Sequence, residues 1–574
     1  CSHLQCEIKK SRILFPDKTV GKAVFNRQQL QFKDVKERRI KASIKDPYSQ
    51  KELPLKLELS TQQLLWRDVG IHSPEQTSAG IDLFFTIMAK FFAWSAKKTK
   101  NPKAGELKVP VDDANPDLEM IVELDNITKF PKDDEFHAVD GFTKTLFQGV
   151  NMLPFDDRAT HFKSRDHGIR SIRELLDDLV PQPEEGRWED PTGDQRMRRV
   201  FFSSMGMFFL EKVPDFDGGY VADLTSLCKY PCRKNDNHNY ETFGCKTFFD
   251  KNGNIERIEE QNGDVYKPKD EYWEWAKLKS RSSAFVQAAL VHVAEYHYVW
   301  GNVPGAAMRM FLPPHHPMRR ALTVHFFKTH YTCARAKYSL FDKAGILSRG
   351  LSMDYETGLE MTFKDIISNF EFSVFSEVMK KRGLTDCEFH VGATDGVELH
   401  KIIGDYVSGL FDAVYPKKTM VNADKDMRKV YKYLRKNMKG IPEEYTLENL
   451  KKVWGEIIFR VTGYHSAIGQ VSAFALDPSM VNIRLQPKQE ESLVTVEEGV
   501  IAVALITAIT TVPCPKIGDD WKQVFDKSNT QTMQAYKKLR KDLKALGRKI
   551  DNKNKVRDTN IDFHPDFCAI SISS

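Results

Sequence analysis

The chain has 574 residues, 41% of them hydrophobic and 29% charged, with nine cysteines and a formal net charge of +6. This composition describes a globular protein with a large core and excludes disordered, fibrous and disulfide-stapled chains. So small a net charge, spread over 85 basic and 79 acidic residues, argues against a nucleic-acid surface, although a mildly basic skin suits anionic substrates or an anionic membrane face.

The chain opens on Cys1 rather than Met, so its start reads as trimmed or processed, and localisation stays open between the cytoplasm, slightly ahead, and secretion. The first 80 residues show no run of strands and read as an extension or lid ahead of a body over 81–574. To about residue 260, short β-like runs alternate with loops rich in Pro, Asp and Gly. The runs are LKLELS (55–60), MIVELDNI (120–127) and VFFSSMGMFFLEK (200–212), with breaks at 97–117 and 181–194. IDLFFTIMAKFFAW (81–94) and GVIAVALITAITTV (499–512) fall short of the roughly 18 apolar residues that cross a bilayer. Both read as buried or amphipathic helices.

Cys228, Cys232, His238 and Cys245 have spacings a structural zinc could use, but TFGCKTFFDKNGNIERI (242–258) reads better as a hairpin turning at KNG, with Cys245 facing a core. From about Asp270 the periodicity becomes helical, over 271–300, 315–345, 396–415, 446–473 and 533–549. The Lys-rich stretch 537–557 reads as a solvated helix face. Within VHVAEYHYVW (291–300), His292 and His297 stand five apart, which on an ideal α-helix turns them roughly 140° away from each other. A π-type widening would put both rings on one face; otherwise they are two core side chains. His465, in FRVTGYHSAIGQ, is the other histidine placed to face them from a separate buried helix.

Taken in order, these segments resemble the catalytic domain of a lipoxygenase. That family carries its first two iron histidines as H-x4-H on a distorted central helix, matched by His292 and His297, with WEWAK (273–277) similar to the start of that helix. HPMRRALTVH (316–325), ARAKYSLFDKAGILSRGLSM (334–353) and LFQGVNMLPF (146–155) are similar to further family segments, with Met152 in place of a proline. YHSAIGQ (464–470) aligns with the family's Q-H-A-A-V-N and brings in His465 as third ligand. The family's N-terminal β-barrel domain is not evident.

The resemblance implies a mainly α fold, one large helical lipoxygenase-like catalytic domain with minor β-hairpins in its N-terminal half. It implies one non-haem iron, with manganese as the alternative, held by His292, His297, His465 and a C-terminal carboxylate. The reaction implied is insertion of O2 into a polyunsaturated fatty acid to give a hydroperoxide. Two departures stand out: Gly469 occupies the place of a ligand Asn, and the family's terminal isoleucine corresponds to Ile572, which Ser573 and Ser574 follow. If Ile572 takes the place of the family's last residue, its carboxyl group is a peptide carbonyl; alternatively the Ser574 carboxylate reaches in. Measured from WEWAK, the histidine pair also arrives one position early. Ile346, Leu347, Leu351 and Met353 are candidates for the substrate channel, core packing being the other reading. His315, His316, His325 and His330 are fallback ligands. The segment 81–94 could serve as a lid or a peripheral membrane contact. Isomerisation or cleavage of fatty-acid hydroperoxides, and a metal-free lipid-binding role, are the competing functions. No nucleic-acid partner is expected, and oligomeric state is not addressed by the sequence.

Overall fold

The computed structural model describes residues 3–12, 15–26, 39–45, 52–60, 193–213, 218–235, 238–313, 316–326, 329–336, 340–341, 346–469, 481–488, 516–522, 525, 530–555, 557 and 563–572. The segments 81–94, 120–127, 146–155 and 499–512, together with His315, Ser573 and Ser574, lie outside the described residues.

Near the N-terminus, strands β1 (His3–Arg12), β2 (Phe15–Asn26), β3 (Arg39–Lys45) and β4 (Glu52–Ser60) pair antiparallel in chain order. His3 stands opposite Asn26, and Arg39 opposite Ser60. The first 80 residues thus hold the run of strands that the sequence reading did not find there. Stretches such as HLQCEIKKSR and FPDKTVGKAVFN are rich in Lys and Glu or carry Pro and Gly, which weakens the β signal of each strand taken alone.

The larger part of the described chain is helical. Helix α1 (Asp194–Ser203) leads through a 3-10 turn (Met205–Phe209) into β5 (Leu210–Lys212). Most of VFFSSMGMFFLEK is therefore helix rather than strand, an ambiguity inherent in short runs that are apolar throughout. With β6 (Tyr220–Asp223), β7 (Lys246–Phe249), β8 (Ile255–Glu259) and β9 (Val265–Tyr266) it builds an antiparallel sheet of order β9-β8-β7-β6-β5. The expected KNG hairpin is β7–β8. Asp250 Oδ1 accepts the N–H groups of Asn252 and Asn254, while Gly253 takes φ +80, a conformation that favours glycine.

The central rod begins as α2 (Trp273–Val291), widens into a π-helix (His292–Asn302) and continues as α3 (Val303–Phe311). Around it lie α4 (Pro317–Thr323), α5 (Thr329–Ala336), α6 (Ile346–Gly350), α7 (Glu360–Ser368), α8 (Phe375–Lys381) and α9 (Val397–Val414). They are followed by α10 (Lys418–Ala423), α11 (Lys425–Asn437) and α12 (Leu447–Phe459). Short π-helical turns also lie at Tyr355–Leu359 and Gly392–Gly396; helix α12 runs through a further π-helical segment (Arg460–Tyr464) into α13 (His465–Ile468), and α14 (Thr530–Asn554) is the long C-terminal helix. The single helix expected over 315–345 is instead α4, a 3-10 turn at Val324–Phe326, and α5.

Almost the whole circumference of α2 is buried, so its polar residues must find partners inside the protein. Ser282 and Ser283 accept the N–H groups of Asn482 and Gly244, each at 2.8 Å. Lys277 ends on Asp194 and Glu274, and Lys279 on Glu260, which lets their stems pack while their charges are matched. This rod fixes the site.

Candidate metal centre

In the π-helical turn of the central rod, His292 and His297 come onto one face with their Nε2 atoms 3.2 Å apart. The π-helical segment Arg460–Tyr464 leads directly into His465, the first residue of α13, whose Nε2 lies 3.1 Å from that of His297. Ring centroids of the three pairs are 4.6, 4.8 and 5.0 Å apart. Among the described residues this is the one group of three or more His, Cys, Asp or Glu side chains close enough to share an ion. Two nitrogens each about 2.1 Å from one ion, at about 90°, lie about 3.0 Å apart, so the spacing suits a shared metal.

Burial favours the neutral imidazoles, pushing His292 down to about 4 and His465 well below the ordinary histidine value. Neutral rings keep the lone pairs a cation needs. The Nδ1 of His465 is buried without a hydrogen-bond partner among the described residues. Around the first π segment, the Cys333 thiol donates to the His297 carbonyl at 3.1 Å and Tyr298 donates to the Cys333 carbonyl at 2.9 Å, pinning the widened turn to α5.

A buried charged cluster ties the two π segments together, and it escaped the sequence reading. Arg460 donates to Glu456 at 2.5 Å, to the Tyr296 hydroxyl at 2.9 Å and to the Ser373 carbonyl at 3.2 Å. Tyr296 precedes His297 and Tyr464 precedes His465; their rings stack at 4.6 Å and 14°. Glu456 also accepts from His400 at 2.8 Å and from the Phe375 N–H at 3.1 Å. Burial works to raise the Glu456 carboxyl, but Arg460 and then His400 hold it below its ordinary value. The signal was an arginine standing inside the apolar run EIIFRVTGYH.

The C-terminal tail threads beside this site. Ala569 donates its N–H to Ser466 Oγ at 2.8 Å, next to His465, and His325 Nδ1 meets the Ile570 carbonyl at 3.1 Å. Ile572 is buried, and a β-carbon on Gly301 would come within 2.7 Å of its Cδ1. At Gly469 a β-carbon would stand 3.1 Å from His292 Nε2, so a longer side chain there would begin at the edge the three nitrogens face.

The other sequence candidates go elsewhere. His316 caps α4, accepting from Met318 N–H and donating to Asp424 at 2.9 Å. His330 sits between Asn302 and Arg309, and His325 serves the tail. Cys228 and Cys232 give their thiols to the carbonyls of Gly244 and Glu241, and Cys245 is buried, as the hairpin reading expects. Leu347, Leu351 and Met353 are buried; the side chain of Ile346 lies outside the described residues.

No family model matches the chain. It is 23% identical over 287 residues to human polyunsaturated fatty acid lipoxygenase ALOX15B, covering 48% of this chain and 42% of that protein. The chain spans between 34% and 48% of the length of the curated relatives it matches. Its structure is similar to that of a calcium-dependent 11R-lipoxygenase, with TM-score 0.68, 14% identity and coverage of 97% of this chain and 91% of the other. The manganese lipoxygenase of Gaeumannomyces graminis is similar at TM-score 0.59 and 13% identity, over 76% of this chain and 90% of that one. At these identities the structural likeness establishes the fold.

Proposed function

We propose that this chain, which is related in sequence to lipoxygenases and carries their fold, is a metal-dependent dioxygenase that converts polyunsaturated fatty acids to hydroperoxides. The observation that carries this reading is the convergence of His292, His297 and His465 from two π-helical segments onto one buried point. These three imidazoles would hold an iron or manganese ion, with the Ile572 peptide carbonyl or the Ser574 carboxylate as a further oxygen donor. Such an ion supplies one-electron chemistry toward O2 and a doubly allylic C–H.

The chain's own residues set the conditions for that chemistry. Desolvation keeps the rings neutral, and the Arg460 cluster fixes their backbones. The surrounding apolar side chains exclude water and suit an acyl chain, with Leu347, Leu351 and Met353 the proposed channel.

Gly469 supports a second reading. With no side-chain donor there, this chain would offer a bound ion one ligand fewer, which would suit isomerisation or cleavage of a fatty-acid hydroperoxide. The test is metal analysis of the purified chain together with oxygen uptake and conjugated-diene absorbance on linoleic and arachidonic acids. About one iron or manganese per chain with oxygen uptake is the expected outcome. Hydroperoxide consumed without oxygen uptake would favour the second reading, and no metal bound after reconstitution with either ion would sink both.

A further inference from the structure

Between Pro416 and Gly440 the chain carries nine lysines and arginines against two aspartates. That excess is larger than the +6 of the whole chain, so the remainder is close to neutral. All nine are exposed. On α11, Lys425, Arg428, Lys429, Lys432, Arg435 and Lys436 follow one another in steps of three, one, three, three and one. At 100° per residue they fall within about 120° of the helix circumference, a single basic stripe. Lys439 extends it, and Lys417 and Lys418 flank it at the start of α10.

The opposite face, with Met427, Val430, Tyr431 and Leu434, is buried, and α11 packs on α3. Asp424 is taken out of play: its carboxylate accepts from Tyr415 at 2.6 Å and His316 at 2.9 Å and caps α11 through Met427 N–H at 2.8 Å. Asp426 pairs with Lys429 at 2.9 Å, Glu443 reaches Arg435 at 3.6 Å and Glu371 reaches Lys439 at 3.8 Å, all between solvent-exposed side chains, and the stretch keeps its basic excess. Beside it Met420 is 43% exposed, an apolar side chain set among lysines.

Exposed charge on a helix is usually only solvated; here the one-sided stripe, an Asp424 engaged by Tyr415 and His316, and the exposed methionine coincide. A surface for single-stranded nucleic acid would offer aromatic rings for stacking. Tyr431 and Tyr433 are buried, and Tyr445 lies beneath Arg428 at 4.4 Å. We propose that α10 and α11 form the face by which the protein sits on an anionic lipid bilayer, the stripe meeting headgroup charges and Met420 entering the interface. This goes beyond the dioxygenase reading and does not depend on it, because adsorption needs neither metal nor turnover.

The experiment is co-sedimentation of the full chain with vesicles of phosphatidylcholine alone or mixed with phosphatidylserine. Binding should be selective for the anionic vesicles and fade at high salt. Neutralising Lys432 and Lys436 together (K432Q/K436Q) should weaken it roughly 30-fold, at about one factor of five per charge. The matched pair Lys541→Gln and Lys544→Gln, exposed on α14, should leave it unchanged. Equal binding to both vesicle types, equal losses from the two pairs, or capture by a single-stranded oligonucleotide without vesicle binding would each overturn the proposal. Thermal unfolding of the variants checks that the exposed changes leave the fold intact.

Discussion

The π-helical segment at His292–Asn302 is pinned to α5 through the Cys333 thiol, whereas the one at Arg460–Tyr464 begins on the buried guanidinium that reaches across to Tyr296. Both help bring imidazoles to the same point, the first through His292 and His297 and the second through His465 just after it. In the first, two histidines five apart require the widened turn if they are to share a face. The second leads only to His465, and its widening seats Tyr464 against Tyr296 so that Arg460 can span both segments. One segment is organised by its metal-facing residues, the other by a charge cluster behind them.

The largest expected effect strikes both alike. His297→Ala and His465→Ala should each cut bound metal and oxygen uptake by more than about 100-fold, since even groups behind the direct ligands are worth about 10- to 100-fold. Metal analysis checks it. If either variant kept its metal, the three-imidazole site would be wrong.

Breaking the cluster separates the segments. Arg460→Met leaves Glu456 buried with only His400 and the Phe375 N–H, and losing one partner of a buried ion pair costs about 3 to 5 kcal/mol. The unfolding midpoint should fall, and the affinity for added Co(II), read from its visible absorption, should fall with it. Tyr296→Phe keeps the ring stack and removes only the hydroxyl, so it should cost about 1.5 to 3 kcal/mol. Unchanged Co(II) affinity in both variants would reduce the cluster to ordinary core.

Acid gives a further test. Burial pushes His325 and His390 each down to about 4, from an ordinary value near 6.5. The unfolded chain therefore takes up these protons first. Their contribution to stability is complete above about pH 6.5 and is lost as pH falls toward 4, on the order of 3 kcal/mol for each residue. Urea midpoints between pH 7 and 4 read this out. In His390→Asn, which lacks that titration, the slope should be shallower.

How much of this was legible depended on how local each cause is. The H-x4-H spacing and His465 could be read because misfit spacing is a property of ten residues, and the long helices because periodicity repeats. The Arg460 cluster could not: Tyr296 and Ser373 are its partners only after folding, and nothing near FRVTGY names them. The N-terminal strands failed for the same reason, since pairing such as Lys22 with Lys45 is invisible within either strand.

The smallest effect returns to the two π segments through a glycine in each. A β-carbon on Gly301 would meet Ile572 Cδ1 at 2.7 Å, Thr329 Cγ2 at 3.0 Å and the Tyr296 carbonyl oxygen at 3.1 Å. Thr329 is stiff and the carbonyl is backbone, so Ile572 must yield, and Gly301→Ala should cost about 1 to 3 kcal/mol. On Gly463 it would meet Leu399 Cδ2 at 2.7 Å and then Phe459 at 3.3 Å. Leu399 can swing its terminal methyl aside, so Gly463→Ala should cost less than about 1.5 kcal/mol. Because Ile572 belongs to the segment that runs beside His465 through the Ala569–Ser466 and Ile570–His325 hydrogen bonds, Gly301→Ala should also disturb that segment and lower metal affinity, while Gly463→Ala should not. Equal metal affinity in the two variants would mean that the tail contributes nothing to the ion.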